Sequence, residues 1–247
     1  MTHPHAIVVI LALVAAVASA CSSAPPEAEA EKPMASSADK APNNTPATQD
    51  KAATKPAAQP GATPDTATAA ALGKPAPDFT LTSLEGKTVR LSEHKGSVVV
   101  LEWFNPDCPF VRAAHEKGEL KTMAQTTTGK GVVWLAINSG APGKQGHGKD
   151  ANTQGRERFG LNHPILMDET GKVGKRYGAK RTPHMFVIDK EGKLVYRGAL
   201  DNTGSGVSAD VDTVENYVQQ AIDSAMEGKP VATPETKAYG CSVKYAG

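Results

Sequence analysis

Cys108 is the residue of this chain whose type and position point most directly to chemistry. It follows a strongly apolar run and stands immediately before Pro109. Because proline is favoured at the first position of a helix, this order places Cys108 at a helix N-terminus. Unpaired N–H groups and the positive end of the helix dipole favour a thiolate there. We therefore expect Cys108 to have a lowered pKa and to act as a nucleophile. The alternative is a small buried cysteine that only packs.

Cys21 stands at the end of an N-terminal leader. Residues 6–20 are apolar throughout, in a run too short to span a bilayer comfortably, which predicts a signal peptide over residues 1–20. The stretch Ala-Ser-Ala-Cys at 18–21 resembles the bacterial lipobox. That resemblance implies a lipidated Cys21 and an extracytoplasmic protein that is anchored to a membrane by its lipid. The alternative is ordinary signal-peptidase cleavage after Ala20.

Cys241 is the remaining cysteine, since the chain has 3 in all. In an oxidising compartment unpaired thiols are disfavoured, so Cys108 and Cys241 are candidates to react with each other. In one interpretation Cys241 is a resolving thiol on a mobile tail, which attacks Cys108 once Cys108 is oxidised or held in a mixed disulfide. In the other, a permanent disulfide between them fixes the C-terminus. The sequence leaves both open.

The composition of the chain divides its 247 residues into unlike parts. The net charge of +1 gives no basic footprint for nucleic acid, so we expect no nucleic-acid partner. Residues 22–71 are rich in Ala, Pro, Thr, Ser, Glu and Lys and lack aromatic side chains, so they cannot bury enough apolar area to offset the entropy of ordering. We therefore predict a lipidated cysteine with a disordered tether over residues 21–72, and a single domain over residues 73–247.

The pattern of apolar runs and turn residues after position 72 predicts alternating strands and helices. In chain order these are a hairpin at 78–81 and 88–91, a strand at 97–104, a helix at 109–125, a strand at 131–138, a helix at 150–159, a strand at 164–167, a helix at 174–177, a hairpin at 185–189 and 194–198, and a helix at 211–226. The order implies an α/β layer fold with a mixed sheet of about five to seven strands.

Residues 77–200 resemble the thioredoxin-like superfamily, in its redoxin and alkyl-hydroperoxide-reductase branch. The matching stretches are Pro-Asp-Phe-Thr-Leu at 77–81, the segment around Cys108, and Arg-Thr-Pro-His-Met-Phe at 181–186. The Asp-Cys-Pro-Phe-Val at 107–111 and the Tyr-Gly-Cys at 239–241 are similar to the subgroup called peroxiredoxin-like. The resemblance implies an α/β thioredoxin-like fold, in which helices flank a central mixed β-sheet and a hairpin comes first. It also implies a cis-proline at Thr182-Pro183 beside the active cysteine.

The resemblance further nominates residues around Cys108. Glu102 stands where thioredoxins carry a buried acid; burial raises the pKa of such an acid and suits it to proton transfer, unless Glu102 pairs with a nearby Lys or Arg. Arg112 and Arg181 are candidates to stabilise the thiolate or a peroxide oxygen, or are surface charges. Val111 excludes a local Cys-x-x-Cys dithiol, and Asn105 replaces the peroxide-polarising Thr of true peroxiredoxins, although its amide could donate a hydrogen bond.

Two functions from different classes remain at this stage. The first is an extracytoplasmic thiol-disulfide oxidoreductase or weak thiol peroxidase, in which Cys108, Cys241, Thr182, Pro183, Glu102 and Arg181 form the site. It would act on a disulfide or a peroxide, take electrons from another redox protein, and need no cofactor and no metal. The second is a non-catalytic thioredoxin-fold module that binds a partner or a metal and has a structural disulfide between Cys108 and Cys241.

Overall fold

The computed structural model describes residues 68–205 and 213–247. The predicted signal peptide, Cys21 and nearly all of the predicted tether therefore lie outside the described residues. Ala70, near the end of that tether, is buried, and its N–H donates a hydrogen bond to the Arg176 carbonyl at 3.0 Å. The packed structure thus already includes Ala70, ahead of the predicted domain boundary at residue 73.

A mixed sheet forms the centre of the described part. Its strands are β1 (Thr80–Ser83), β2 (Thr88–Arg90), β3 (Val99–Trp103), β4 (Val133–Asn138), β5 (Ile165–Met167), β7 (His184–Ile188) and β8 (Leu194–Gly198). The order across the sheet is β2-β1-β5-β4-β3-β7-β8, with β3, β4 and β5 parallel and the other neighbouring pairs antiparallel. A separate two-stranded pair joins β6 (Arg181–Thr182) to β9 (Cys241–Ser242). The predicted thioredoxin-like fold, with its mixed sheet and N-terminal hairpin, is confirmed.

Helices lie on both faces of this sheet. They are α1 (Pro109–Glu116), α2 (Leu120–Thr128), α3 (Lys149–Phe159), α4 (Lys172–Tyr177) and α5 (Tyr217–Met226), with a 3-10 turn at Leu91–His94. The single helix predicted over 109–125 is wrong, because the structure ends α1 at Glu116 and starts a new helix at Leu120. Gly118 lies in the break, and glycine is unfavourable inside a helix. Helix α5 begins after Asn216, whose side chain caps it, rather than at the predicted residue 211.

Strand β3 carries the chain to the site through the middle of the core. Every residue of β3 is buried, and successive side chains point to opposite faces. Val100 packs in a cluster with α2 and α5, whereas Val99 and Leu101 pack in the cluster that contains α4. This arrangement fixes the end of β3, and with it the loop that leads into α1. Among the described residues no helix is both long enough and apolar enough to cross a bilayer.

Candidate active site

Cys108 occupies the N-cap position of α1, as the sequence predicts. Its backbone is extended, with φ −74° and ψ 124°, and Pro109 follows at the first helical position. The carbonyl of Cys108 accepts the first helical hydrogen bond, from the Arg112 N–H at 3.0 Å. The Cys108 side chain is 0% exposed. The sulfur therefore lies at the positive end of a helix and is shielded from solvent.

Cys241 lies beside Cys108, on a strand from the far end of the chain. In the antiparallel pair of β6 and β9, Cys241 stands directly opposite Thr182. Both cysteines are free thiols. Cys241 is half-buried and packs against the same apolar cluster as Cys108. The structure thus brings together the two cysteines that the sequence paired, through one short strand.

The two cysteines have pKa values displaced in opposite directions. Burial raises the pKa of Cys108, but hydrogen bonds from the Cys241 thiol, the Thr182 hydroxyl and the Val111 N–H outweigh burial, so the pKa lies below its ordinary value. Burial, together with the hydrogen bond and charge of Cys108, raises the pKa of Cys241 to about 11. The pair titrates as a unit, with Cys108 the more acidic partner and Cys241 the thiol that donates to it.

Thr182 and Pro183 frame the other side of the sulfur. The peptide bond between them is cis, as the resemblance implies. In the thiol form, Cys108 Sγ donates to the Thr182 carbonyl at 3.1 Å. The buried Thr182 hydroxyl has no other hydrogen-bond partner among the residues that the structure describes, so it is available to donate to the thiolate. Thr182 therefore offers an acceptor to the thiol and a donor to the thiolate.

The two candidate arginines, Arg112 and Arg181, make contacts of two different kinds. Arg181 is exposed, and its backbone pairs with Ser242 in the β6–β9 strand pair. Arg112 donates to the Pro106 carbonyl at 3.0 Å and forms an ion pair with Asp107 at 2.9 Å. The groups that lower the pKa of Cys108 are uncharged hydrogen-bond donors. Arg181 contributes its backbone to the strand pair beside the thiols.

Glu102 belongs to a second buried centre. Its carboxylate is 2.7 Å from His115 Nε2 and accepts a hydrogen bond from Trp134 Nε1 at 3.1 Å. Burial raises the pKa of Glu102. The charge and hydrogen bond of His115 lower that pKa and outweigh burial, so the net pKa lies below the usual range. The expectation of a raised pKa is wrong, and the partner is a histidine rather than a Lys or Arg. The printed sequence offers no local signal for this pair, because it joins β3 to the last turn of α1.

Two cavities in the described part lie away from the cysteines. One, of about 340 Å³, is lined by residues that include Trp134, Phe159 and His163, close to the Glu102 pair. The other, of about 320 Å³, lies near Leu91 and Ile188. Neither is lined by Cys108 or Cys241. Among the described residues, no group of three His, Cys, Asp or Glu side chains is arranged to hold a metal ion.

Comparison with known proteins agrees with this architecture. The fold and the cysteine at a helix N-terminus beside a cis-proline define a thioredoxin-like protein. The family model described as Redoxin matches residues 71–218, and the chain belongs to the redoxin family. It is 40% identical over 128 residues to the thiol-disulfide oxidoreductase ResA of Geobacillus thermodenitrificans (strain NG80-2), a match that covers 51% of this chain and 68% of that protein.

Two solved structures are similar over most of the domain. A crystal structure of an uncharacterized conserved protein from Geobacillus kaustophilus has a TM-score of 0.63 and 34% identity, covering 71% of this chain and 93% of that one. A hypothetical protein from Sinorhizobium meliloti 1021 has a TM-score of 0.61 and 28% identity, covering 72% and 97%. The family and the relatives confirm the predicted class of enzyme, a thiol-dependent oxidoreductase.

Proposed function

We propose that the chain catalyses thiol-disulfide exchange with Cys108 as the attacking cysteine and Cys241 as the resolving cysteine. The observation that carries the proposal is the contact between two free thiols whose pKa values are displaced in opposite directions. A lowered pKa makes a thiolate available for attack, and a thiol partner that donates a hydrogen bond stabilises that thiolate. A purely structural cysteine pair needs neither feature.

The reaction proceeds in two exchange steps. In the first, the Cys108 thiolate attacks one sulfur of a substrate disulfide, the substrate S–S bond breaks, and the other substrate sulfur leaves as a thiolate. In the second, the Cys241 sulfur attacks Cys108 in the mixed disulfide, and the second substrate sulfur leaves. The substrate gains two electrons and the Cys108–Cys241 pair becomes a disulfide. A reduced redox protein must then return two electrons to the pair.

The raised pKa of Cys241 supports this order of events. Part of the rise comes from the hydrogen bond and charge of Cys108. When Cys108 is bound in a mixed disulfide it carries no negative charge, so this part of the shift is removed. Cys241 therefore becomes easier to deprotonate at the stage where it must attack, and stays protonated while it rests beside the Cys108 thiolate.

Asn105 helps to hold the loop before Cys108. Its amide donates to the Gln145 carbonyl at 3.1 Å, and its side-chain oxygen accepts from the Asp107 N–H at 2.9 Å. Both ends of the side chain are thus engaged in holding the loop before Cys108. One of the two N–H groups of the amide that the sequence offered as a donor to a peroxide is therefore already in use.

The location of the enzyme is part of the same proposal. We take residues 1–20 as a signal peptide, Cys21 as the lipidated residue and the segment from residue 22 to just before Ala70 as a tether, which places the domain outside the cytoplasm on a membrane. Mass spectrometry of the mature protein tests this, because a lipidated Cys21 gives a first residue carrying a diacylglyceryl group. An unmodified N-terminus would contradict the anchor, and leave the exchange chemistry untouched.

Cys108→Ser and Cys241→Ser test the two roles in a chain that carries Cys21→Ser throughout. The reduced protein is mixed with a small aromatic disulfide whose released thiolate absorbs visible light. We expect the parent to release two thiolates per chain, Cys241→Ser to release one and remain as a mixed disulfide, and Cys108→Ser to lose rapid release. Mass spectrometry identifies the trapped species. A parent chain that ends with an aryl adduct on each cysteine, instead of a Cys108–Cys241 disulfide, would refute the resolving role, and rapid release from Cys108→Ser would favour a binding module.

A further inference from the structure

The C-terminal segment, residues 239–245, lies along the active site as an extended polypeptide. Cys241 and Ser242 pair antiparallel with Thr182 and Arg181, and the Val243 N–H donates to the Lys180 carbonyl at 3.2 Å. Strand pairing of this kind is a general way for a domain to bind an extended peptide at an open backbone edge. The chain therefore shows, with its own C-terminus, how a polypeptide carries a cysteine to Cys108.

Two tyrosines hold the C-terminal segment at its ends. The Tyr239 ring packs on Phe110 with the centroids 6.3 Å apart, and its hydroxyl donates to Asp201 at 2.8 Å. The Tyr245 hydroxyl donates to the Ala179 carbonyl at 2.8 Å. The Tyr245 ring lies against Gly171 and Gly174, where a side chain at either glycine would overlap it.

Gly240 allows the close approach between these anchors. Its φ is +105°, in the region that favours glycine, and a Cβ at this position would overlap the Thr182 carbonyl. The segment thus rests directly on the backbone that flanks the cis-proline. The contacts that hold it include two aromatic anchors, one short strand and a hydrogen bond from the Ala141 N–H to the Lys244 carbonyl at 2.8 Å, with no covalent link to the site in the reduced state.

The docked C-terminal segment limits access to Cys108. Cys108 is 0% exposed, although Cys241 beside it is half-buried. The strand edge at Thr182 is occupied by β9. We infer that the C-terminal segment occupies the polypeptide-binding edge of the site, and that an extended substrate segment carrying a disulfide reaches Cys108 by displacing it.

This inference rests on the proposed exchange activity and names its substrate class, an extended protein segment rather than a small disulfide. The segment leaves before the first attack, so that the substrate pairs with β6 and places its sulfur where Cys241 now lies. It returns for the second attack, in which Cys241 forms the bond to Cys108 and the substrate thiolate departs. Occupancy of one edge by two competing strands thus sets the order of the two steps.

Undocking the segment tests the inference without measuring exchange. All chains carry Cys21→Ser and Cys241→Ser, so that Cys108 is the one remaining thiol, and its alkylation by iodoacetamide is measured at a pH high enough for the rate to be constant. Gly240→Val places a side chain against the Thr182 carbonyl, and Tyr245→Ala removes an anchor. We expect each to speed alkylation by about tenfold or more, because local opening controls access to a buried group.

Gly228→Ala is the matched control. Gly228 also has a positive φ in the C-terminal region, but a side chain there meets nothing within 4 Å. We expect its alkylation rate to equal that of the parent. Equal rates in Gly240→Val, Tyr245→Ala and the parent would overturn the inference. Circular dichroism melts show whether the undocked variants keep the fold, and Tyr245→Ala stands as the test if Gly240→Val does not.

A synthetic peptide tests the edge itself. Its sequence is that of residues 237–247 with Cys241→Ser, and it is added to the Gly240→Val chain and to the parent. We expect it to slow alkylation of Cys108 in the undocked chain and to leave the parent unchanged, since the parent's own segment fills the site. No protection in an undocked, folded chain would overturn the polypeptide-binding edge. If the peptide protects Cys108 here but the chain that keeps both Cys108 and Cys241 shows no thiol-disulfide exchange, the result counts against the proposed function alone.

Discussion

The described domain contains two buried polar pairs that join α1 to another element, and they are built in opposite ways. At one end of α1, Cys108 contacts Cys241 on the C-terminal segment. At the other end, His115 bonds to Glu102 on the central strand β3. Both pairs contain an acid whose pKa is lowered by its partner. The difference lies in where the partner comes from.

The carboxylate pair is locked within the core, and the thiol pair is not. Glu102 and His115 have side chains 0% and 1% exposed, and they lie on the central strand β3 and on the buried face of α1. Cys241 is half-buried on a strand of two residues. A pair that must open and close during turnover needs one partner on a weakly held element, whereas a pair that only supports the fold does not. We interpret Glu102–His115 as support for α1 and Cys108–Cys241 as the reacting pair.

His115→Ala gives the largest expected effect, and it sharpens the contrast. It leaves the buried Glu102 carboxylate without its hydrogen-bond partner and opens a cavity where the imidazole was, which together cost about 3 kcal/mol. The free energy of unfolding from urea titration measures this. Cys241→Ser, which opens the thiol pair, is expected to cost much less.

Replacing both members of the carboxylate pair is the matched control. The double variant Glu102→Leu and His115→Leu removes the unpaired charge, so it should recover part of the stability that His115→Ala loses. If His115→Ala and Cys241→Ser destabilise equally, the two pairs are not built differently and our interpretation is wrong.

Acid should destabilise the domain through two buried histidines. Burial lowers the pKa of His163, which lies beside the carboxylate pair, to about 4, and burial also lowers the pKa of His184 to about 4. The unfolded chain takes up these protons near pH 6.5, so the stability is fully present above about pH 6.5 and is lost as the pH falls toward 4. Each histidine contributes up to roughly 3 kcal/mol to this loss.

Urea titrations at several pH values between 4 and 8 measure that loss. His163→Gln, which cannot take up the proton, should flatten the decline between pH 6.5 and 4. The lowered pKa of Glu102 acts in the same direction at lower pH, because its stabilisation is lost as the carboxylate becomes protonated. A parent protein equally stable at pH 7 and pH 5 would contradict the assignment of buried, neutral histidines.

Local signals in the sequence predict the parts of this architecture that depend on neighbours along the chain. Cys108 before Pro109 predicts the helix N-terminus, and the apolar run at 97–104 predicts the buried strand β3. The prediction failed for one long helix over 109–125, because its apolar spacing continued through Gly118 and hid the break. Hydrophobic periodicity reports which face is buried, but not whether the backbone is continuous.

Contacts between distant elements account for what the sequence could not predict. The sequence predicts Glu102 as a buried acid for proton transfer or as the partner of a Lys or Arg, whereas its observed partner, His115, is determined by how α1 packs on β3. The docking of residues 239–245 depends on the pairing of β9 with β6, which lies about 60 residues earlier in the chain. The glycine at position 240, next to Cys241, is the sequence signal for a close backbone approach, and its φ in the structure is positive.

The smallest expected effect concerns the thiol pair and separates its electrostatics from its contribution to folding. Cys241→Ala removes the hydrogen bond from the Cys241 thiol, which is the largest contribution that lowers the pKa of Cys108. The pKa of Cys108 should therefore rise. Alkylation of Cys108 against pH, with Cys21→Ser present, measures the change as a shift of the rate profile to higher pH. The free energy of unfolding should change by only about 1 kcal/mol, since one half-buried thiol is lost.

Cys241→Ser, whose hydroxyl still donates, should leave the profile closer to that of the parent. A Cys108 profile identical in the parent and Cys241→Ala would mean that the helix N-terminus and Thr182 alone set its acidity, and that Cys241 contributes only as the second nucleophile.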